Sequence, residues 1–153
     1  MKNTLSIVFC ILLIFNSQSF SQDNWWKNKK YKSKEKQQKY DNCKITFLNI
    51  ADGFLYNNVT YISPYIQNEL YLNLPNTERG NYSKQQSIYI IESFFNNFRV
   101  YSFKWRNASA SELYAFAMGR YKYQRNGFIN TFTVSVSLKY TNNLWLIEQI
   151  LVN

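Results

Sequence analysis

The feature that most constrains the fold is a run of strict alternation over residues 128–140, framed by two tight-turn signals. Phe132, Val134, Val136 and Leu138 fall on one side of it, and Thr131, Thr133, Ser135, Ser137 and Lys139 on the other. A period of two sends successive side chains to opposite faces of a strand, so this strand has one dry and one wet face. Arg125-Asn126-Gly127 precedes it, and an Asn-Gly pair tolerates the positive φ angles of a two-residue hairpin. Thr141-Asn142-Asn143 follows it as a second turn. Runs at 113–124 and 144–152 are therefore expected to flank it in an antiparallel meander.

Upstream, residues 100–107 also alternate, with Tyr101, Phe103 and Trp105 on one face and Ser102, Lys104 and Arg106 on the other. This predicts a half-buried strand. Ser83 and Gln86 form a capping box ahead of Ile88, Ile91, Phe95 and Phe98 at helical spacing, which predicts a helix over 84–97. Phe47, Ile50, Ala51, Phe54 and Leu55 predict a helix over 43–57, ended by Asn57-Asn58. Residues 59–66 read as a short helix or turn interrupted by Pro64, and Leu70, Leu72 and Leu74 as a strand stopped by Pro75. Residues 76–81, containing Gly80, read as a turn. Helices first and then a meander with one wet face indicate an α+β domain whose mainly antiparallel sheet wraps over its helices. There is no internal repeat.

The first residues read as an export signal. Lys2 supplies a positive charge, residues 5–15 form an apolar run too short to span a bilayer, and Ser19-Phe20-Ser21 puts small residues where a signal peptidase reads. Cleavage is expected between Ser21 and Gln22, leaving a periplasmic or extracellular protein. Cys10 leaves with the signal, so Cys43 remains alone and no internal disulfide can form. The remaining roughly 130 residues suit one domain.

Residues 22–41 contain no aliphatic side chain and crowd seven lysines together: Lys27, Lys29, Lys30, Lys32, Lys34, Lys36 and Lys39. Such a segment reads as a flexible basic tether, helical near 35–40, with the single domain following over 42–153. With Trp25, Trp26, Tyr31 and Tyr40, the lysines suit contact with an anionic polymer or lipid head groups. A solvated spacer is the plainer alternative. The net charge of +9 and the 19% aromatic content also follow from a residue set with A/T-rich codons.

Several chemistries are excluded. The chain has no histidine, which removes Ser-His-Asp, Cys-His and every histidine-based acid-base scheme. Its glycines stand singly at 53, 80, 119 and 127, so no phosphate loop is present, and the acidic residues are too scattered for a metal site. No cofactor, metal or nucleic acid is expected.

Tyr82-Ser83-Lys84-Gln85-Gln86, Phe94-Phe95, Ser102-Phe103, Leu113-Tyr114, Gly119, Gly127 and the closing Trp145-Leu146-Ile147-Glu148-Gln149-Ile150 resemble small exported bacterial proteins of the domain-of-unknown-function family 4783. That family lies within the nuclear transport factor 2-like superfamily of cone-shaped α+β domains. The segment 106–112 departs from the family's pattern, having neither the histidine nor the glycines expected there. The resemblance implies an N-terminal pair of helices on a curved sheet, and it transfers no catalytic residue.

Superfamily enzymes such as ketosteroid isomerase use an Asp or Glu with a Tyr inside the cone. By that resemblance, Asp52 and Glu148 with Tyr114 or Tyr101 are the candidates for acid-base chemistry; solvated surface charges are the alternative. Tyr101, Phe103, Trp105, Phe132, Val134, Ile91 and Phe95 are the residues expected to line a cavity for a small apolar ligand, or else to fill it as core. The leading expectation is a non-catalytic domain that binds a small ligand or another envelope protein. An isomerase- or dehydratase-type enzyme comes second, and an envelope adhesion or assembly component third. The resemblance also makes a homodimer through the wet sheet face an expectation.

Overall fold

The computed structural model describes residues 24–153; the expected signal peptide, residues 1–21, lies outside them. Helix α1 spans Lys34–Tyr56. Ser33 caps its start, accepting from the Lys36 amide, and Asn57 ends it with a left-handed φ of 50°. Two single-turn 3₁₀ segments, Val59–Tyr61 and Ser63–Tyr65, carry the chain past Pro64 into β1, Ile66–Asn73. Strand β2, Gly80–Ser83, pairs back on β1 and leads into α2, Lys84–Asn97, whose capping box joins Ser83 and Gln86 in both directions. Strands β3 (Val100–Ala110), β4 (Tyr114–Arg125), β5 (Phe128–Thr141) and β6 (Leu144–Val152) then form the meander.

All six strands belong to one sheet, in the order β2-β1-β6-β5-β4-β3. Every pairing is antiparallel except that of β1 with β6, which is parallel. Both helices pack on one face. Phe47, Ile50 and Phe54 of α1 and Ile91, Phe94 and Phe95 of α2 meet Phe103, Trp105, Tyr121, Val134, Val136 and Leu138 of the sheet, all buried. Two indoles tie α1 down: Trp105 Nε1 donates to the Phe47 carbonyl and Trp145 Nε1 to the Lys39 carbonyl, each at 2.9 Å.

Three expectations are corrected. Residues 80 and 81, expected to end a turn, instead open an edge strand that runs to Ser83, because Gly80 and Tyr82 align with Leu72 and Leu70 of β1. Tyr101 does not share the inward face of Phe103 and Trp105. The pairing with β4 jumps from Val100↔Tyr123 to Ser102↔Lys122, so Tyr101 is the extra residue of a bulge and is 62% exposed. The helix expected near 35–40 and the one expected over 43–57 are a single element, α1, unbroken from Lys34 to Tyr56. Tyr40, Cys43, Thr46 and Phe47 extend the buried stripe backward at helical spacing.

Candidate functional site

The interior is occupied by its own rings. Phe54 stacks on Phe103 with centroids 5.0 Å apart and meets Phe95 edge-on at 5.7 Å. Phe94 contacts Tyr121 at 5.3 Å and Phe132 at 6.1 Å. Of the residues expected to line a cavity, Phe103, Trp105, Val134, Ile91 and Phe95 are buried in this packing, Phe132 is half-buried against it, and Tyr101 lies outside it. Edge-to-face and offset aromatic pairs of this kind add cohesion beyond the area they bury.

The polar groups inside serve structure. The Tyr121 hydroxyl reaches Asn57 Oδ1 at 3.0 Å and also the Phe98 carbonyl, so one proton serves two acceptors. Burial pushes its ionisation upward, only partly offset by Asn57. Burial likewise pushes the Cys43 thiol up to about 12, far from the thiolate that nucleophilic chemistry needs.

The expected acid-base residues are brought together only in part, Glu148 with Tyr114 but with neither Asp52 nor Tyr101. Asp52 is half-buried on α1, which lies against the inner face of the sheet. Glu148 and Tyr114 share a groove of about 260 Å³ on the opposite face, with Ser109, Ser111, Phe116 and Ser137. Glu148 stands at the bulge where the β5–β6 register shifts beside Leu138. Both residues are exposed there, and nothing excludes water from a reacting centre between them. Tyr101 lies apart from that groove.

A different site is assembled at the start of α1. Residues 24–33 run as a strap between the edge strand β3 and the first turns of α1. Trp26 is 7% exposed, with its ring 4.8 Å from Tyr40 and 6.1 Å from Phe47. Trp25 lies 6.4 Å from Trp105 and 6.5 Å from Phe47. Polar ties hold the strap: the Tyr40 hydroxyl donates to the Lys27 carbonyl, Lys29 Nζ to the Ala110 carbonyl at 3.2 Å, and the Tyr31 amide to Gln37 Oε1 at 2.9 Å. Of the aromatic rings expected at a lipid interface, Trp26 and Tyr40 are thus buried and Trp25 is half-buried, while Tyr31 is exposed, as are Lys27, Lys29, Lys30, Lys32 and Lys34.

Where the strap meets α1, a cleft of about 220 Å³ opens between Tyr31, Ser33 and Tyr40 on one side and Ser111, Glu112 and Trp145 on the other. Lys36 and Lys39 line it too. Lys36 Nζ pairs with Glu112 Oε1 at 2.9 Å, which holds the carboxyl below its ordinary value and the ammonium above. Lys39 Nζ sits 3.8 Å over the Tyr140 ring and 6.0 Å from that of Trp145, a cation held against aromatic faces. Glu35 adds a second carboxylate at the rim. A smaller space of about 140 Å³ adjoins across Tyr40, lined by Trp26, Lys27, Lys29, Ala108, Ser109 and Ala110. Among the described residues no acidic or thiol cluster suits a metal, and no helix is long and apolar enough to cross a membrane.

The sequence reading did not find this cleft. Its walls come from residues 31–40, 111–112 and 145, which no local pattern connects. The Trp25-Trp26 pair was the available signal, since two large apolar side chains gain little in a solvated spacer.

Two helices packed on one face of a mostly antiparallel six-stranded sheet define a nuclear transport factor 2-like α+β domain. A solved NTF2-like protein of unknown function from Cytophaga hutchinsonii superposes with a TM-score of 0.53 at 14% identity, covering 71% of this chain and 95% of that one. The family model Domain of unknown function (DUF4783) matches residues 47–153, and the chain belongs to that family. Solved DUF4783 proteins from Bacteroides uniformis and Bacteroides fragilis align with TM-scores of 0.63 and 0.61. Their identities are 19% and 17%, and each alignment covers 69% of this chain and 94% of the other. No curated protein matches the chain.

Proposed function

We propose that the protein is an exported, non-catalytic binding domain and that the cleft at the start of α1 takes its ligand. The observation that carries this reading is the convergence of Tyr31, Tyr40 and Trp145 with Lys36 and Lys39 on one concave opening. Apolar walls with a few placed polar groups are the common form of a small-molecule site. The aromatic faces favour a flat or ring-shaped body, and the two ammonium groups favour an acidic substituent. Glu112 already pairs with Lys36 and attracts Lys39, and Glu35 adds a second negative charge, so an acidic ligand competes with these carboxylates for the two ammonium groups. The exposed lysines of the strap raise the local concentration of anions around the opening. The packed core and the separation of Asp52 from Glu148 and Tyr114 argue against an enzyme.

Mass spectrometry of the protein recovered from its own cell envelope tests both halves of the proposal. Under denaturing conditions the chain should have lost residues 1–21. Under native conditions it should carry an acidic small molecule, which a Lys36→Ala/Lys39→Ala variant carries at a reduced level. An unprocessed chain defeats the export reading, and equal loading of both proteins defeats the cleft.

A further inference from the structure

The strap packs on residues that the family model matches but lies outside the match itself. The family match starts at Phe47, so Trp25, Trp26 and Tyr40 all lie outside it, whereas Phe47 and Trp105, against which the strap packs, lie within it. Both of those residues are buried, although each lies beneath a segment that is joined to the domain only through the start of α1. The strap itself belongs to no helix or strand; apart from the Ser33 cap on α1, its described ties are three side-chain hydrogen bonds, the ring contacts and Lys29 over the Tyr40 ring. Lifting it would break no sheet ladder and would uncover a recess walled by the rings of Phe47, Trp105 and Tyr40 and by Ala108 and Ala110. Even with Trp26 seated, about 140 Å³ of space remains beside it.

We infer that this recess is a binding site for a planar aromatic ligand, and that the Trp25-Trp26 strap is its built-in occupant, which an incoming ring displaces. The rings now in place show what the recess accepts. It holds an indole 4.8 Å from Tyr40 and 6.1 Å from Phe47, with a second indole 6.4 Å from Trp105, the separations of favourable aromatic pairing. A tethered occupant acts as an intramolecular competitor. Its seated fraction sets how far the apparent affinity of a free ligand falls below the intrinsic one. The strap also carries Tyr31 and Ser33 of the neighbouring cleft, so a ring bound in the recess dismantles that cleft's outer wall. The inference is kept apart from the cleft reading by running its test also on a Lys36→Ala/Lys39→Ala background, where an acidic dye has lost the cations of the cleft.

The test uses 1-anilinonaphthalene-8-sulfonate as a planar aromatic probe on the full chain. A Trp25→Ala/Trp26→Ala variant should bind the dye about tenfold more tightly than the parent, as expected if the strap is seated roughly nine-tenths of the time. A synthetic peptide of residues 24–33 should then displace the dye from the variant. An Ile91→Ala protein, loosened within the core away from the recess, controls for dye taken up by general destabilisation, and there the peptide should displace nothing. A natively folded double variant that binds no more tightly than the parent overturns the inference. Dye that the peptide fails to compete away does the same. Should the double variant lose its near-ultraviolet circular dichroism, Tyr40→Phe removes only the hydroxyl tie to Lys27. That protein should show a smaller gain, still reversed by the peptide, and no gain overturns the inference.

Discussion

Gly119 of β4 lies opposite Trp105 of β3, where the packing leaves no room for a side chain. A Cβ there would stand 2.8 Å from the Phe103 ring and 2.9 Å from the Trp105 ring. The two aromatic residues lean over the glycine and cover the backbone that it leaves bare. Both rings are pinned in turn, Trp105 by its bond to the Phe47 carbonyl and Phe103 by its stack on Phe54, so neither can yield cheaply. Gly119→Ala should therefore destabilise the protein by about 1–3 kcal/mol, the usual cost of overpacking a filled core. A urea midpoint unchanged from the parent would contradict this. The sequence shows that position 119 is glycine but not what presses on it. Phe103 and Trp105 could be placed on the inner face from alternation, whereas their lean over the next strand depends on register. Tyr101 marks the same limit, since alternation assumes an unbroken ladder and a single unpaired residue reverses the face.

Elements whose signals are local were legible to within a few residues. The Ser83–Gln86 box marked the start of α2 because both partners lie within one turn. Asn126 and Gly127, with φ of 51° and 80°, form the β4–β5 turn that the Asn-Gly pair announced. A β-carbon at a positive φ is strained whatever the surrounding space, and around Gly127 the space is open. Gly127→Ala should therefore cost about 1–2 kcal/mol through the backbone alone, seen as a lower melting temperature with the inner-face packing intact. A melting temperature equal to the parent's would show that the turn adopts another type. Elements specified by distant partners were not legible. Strand β2 owes its existence to β1, and its four residues carry little strand signal of their own. The first turns of α1 are polar and lysine-rich; what makes them count is Tyr40 and Cys43, buried beneath the strap and against the sheet.

At the level of the molecule, the α+β class followed from two apolar periodicities and two turns, but the strand order did not. Reading the meander alone leaves β6 at an edge. The fold instead inserts β6 between β5 and β1, pairing Leu72 with Ile150 in parallel. Ile147 and Ile150 are consequently fully buried, and the last strand carries a share of the core that its position in the chain conceals. A chain ending at Asn143 should lack cooperative unfolding in a thermal melt, whereas a cooperative transition would mean that β1 and β5 close without it. The same arrangement bears on the order of events after synthesis. Contacts between residues as distant as 72 and 150 make slow nuclei, because a long loop must close before they repay its entropy. Here the sheet cannot join its two halves until β6 is free. If the protein is exported as proposed, a chain threaded through a membrane pore only as far as β5 is missing the strand that joins the two halves. Late arrival of β6 would then delay folding until passage is finished, without help from a holding partner.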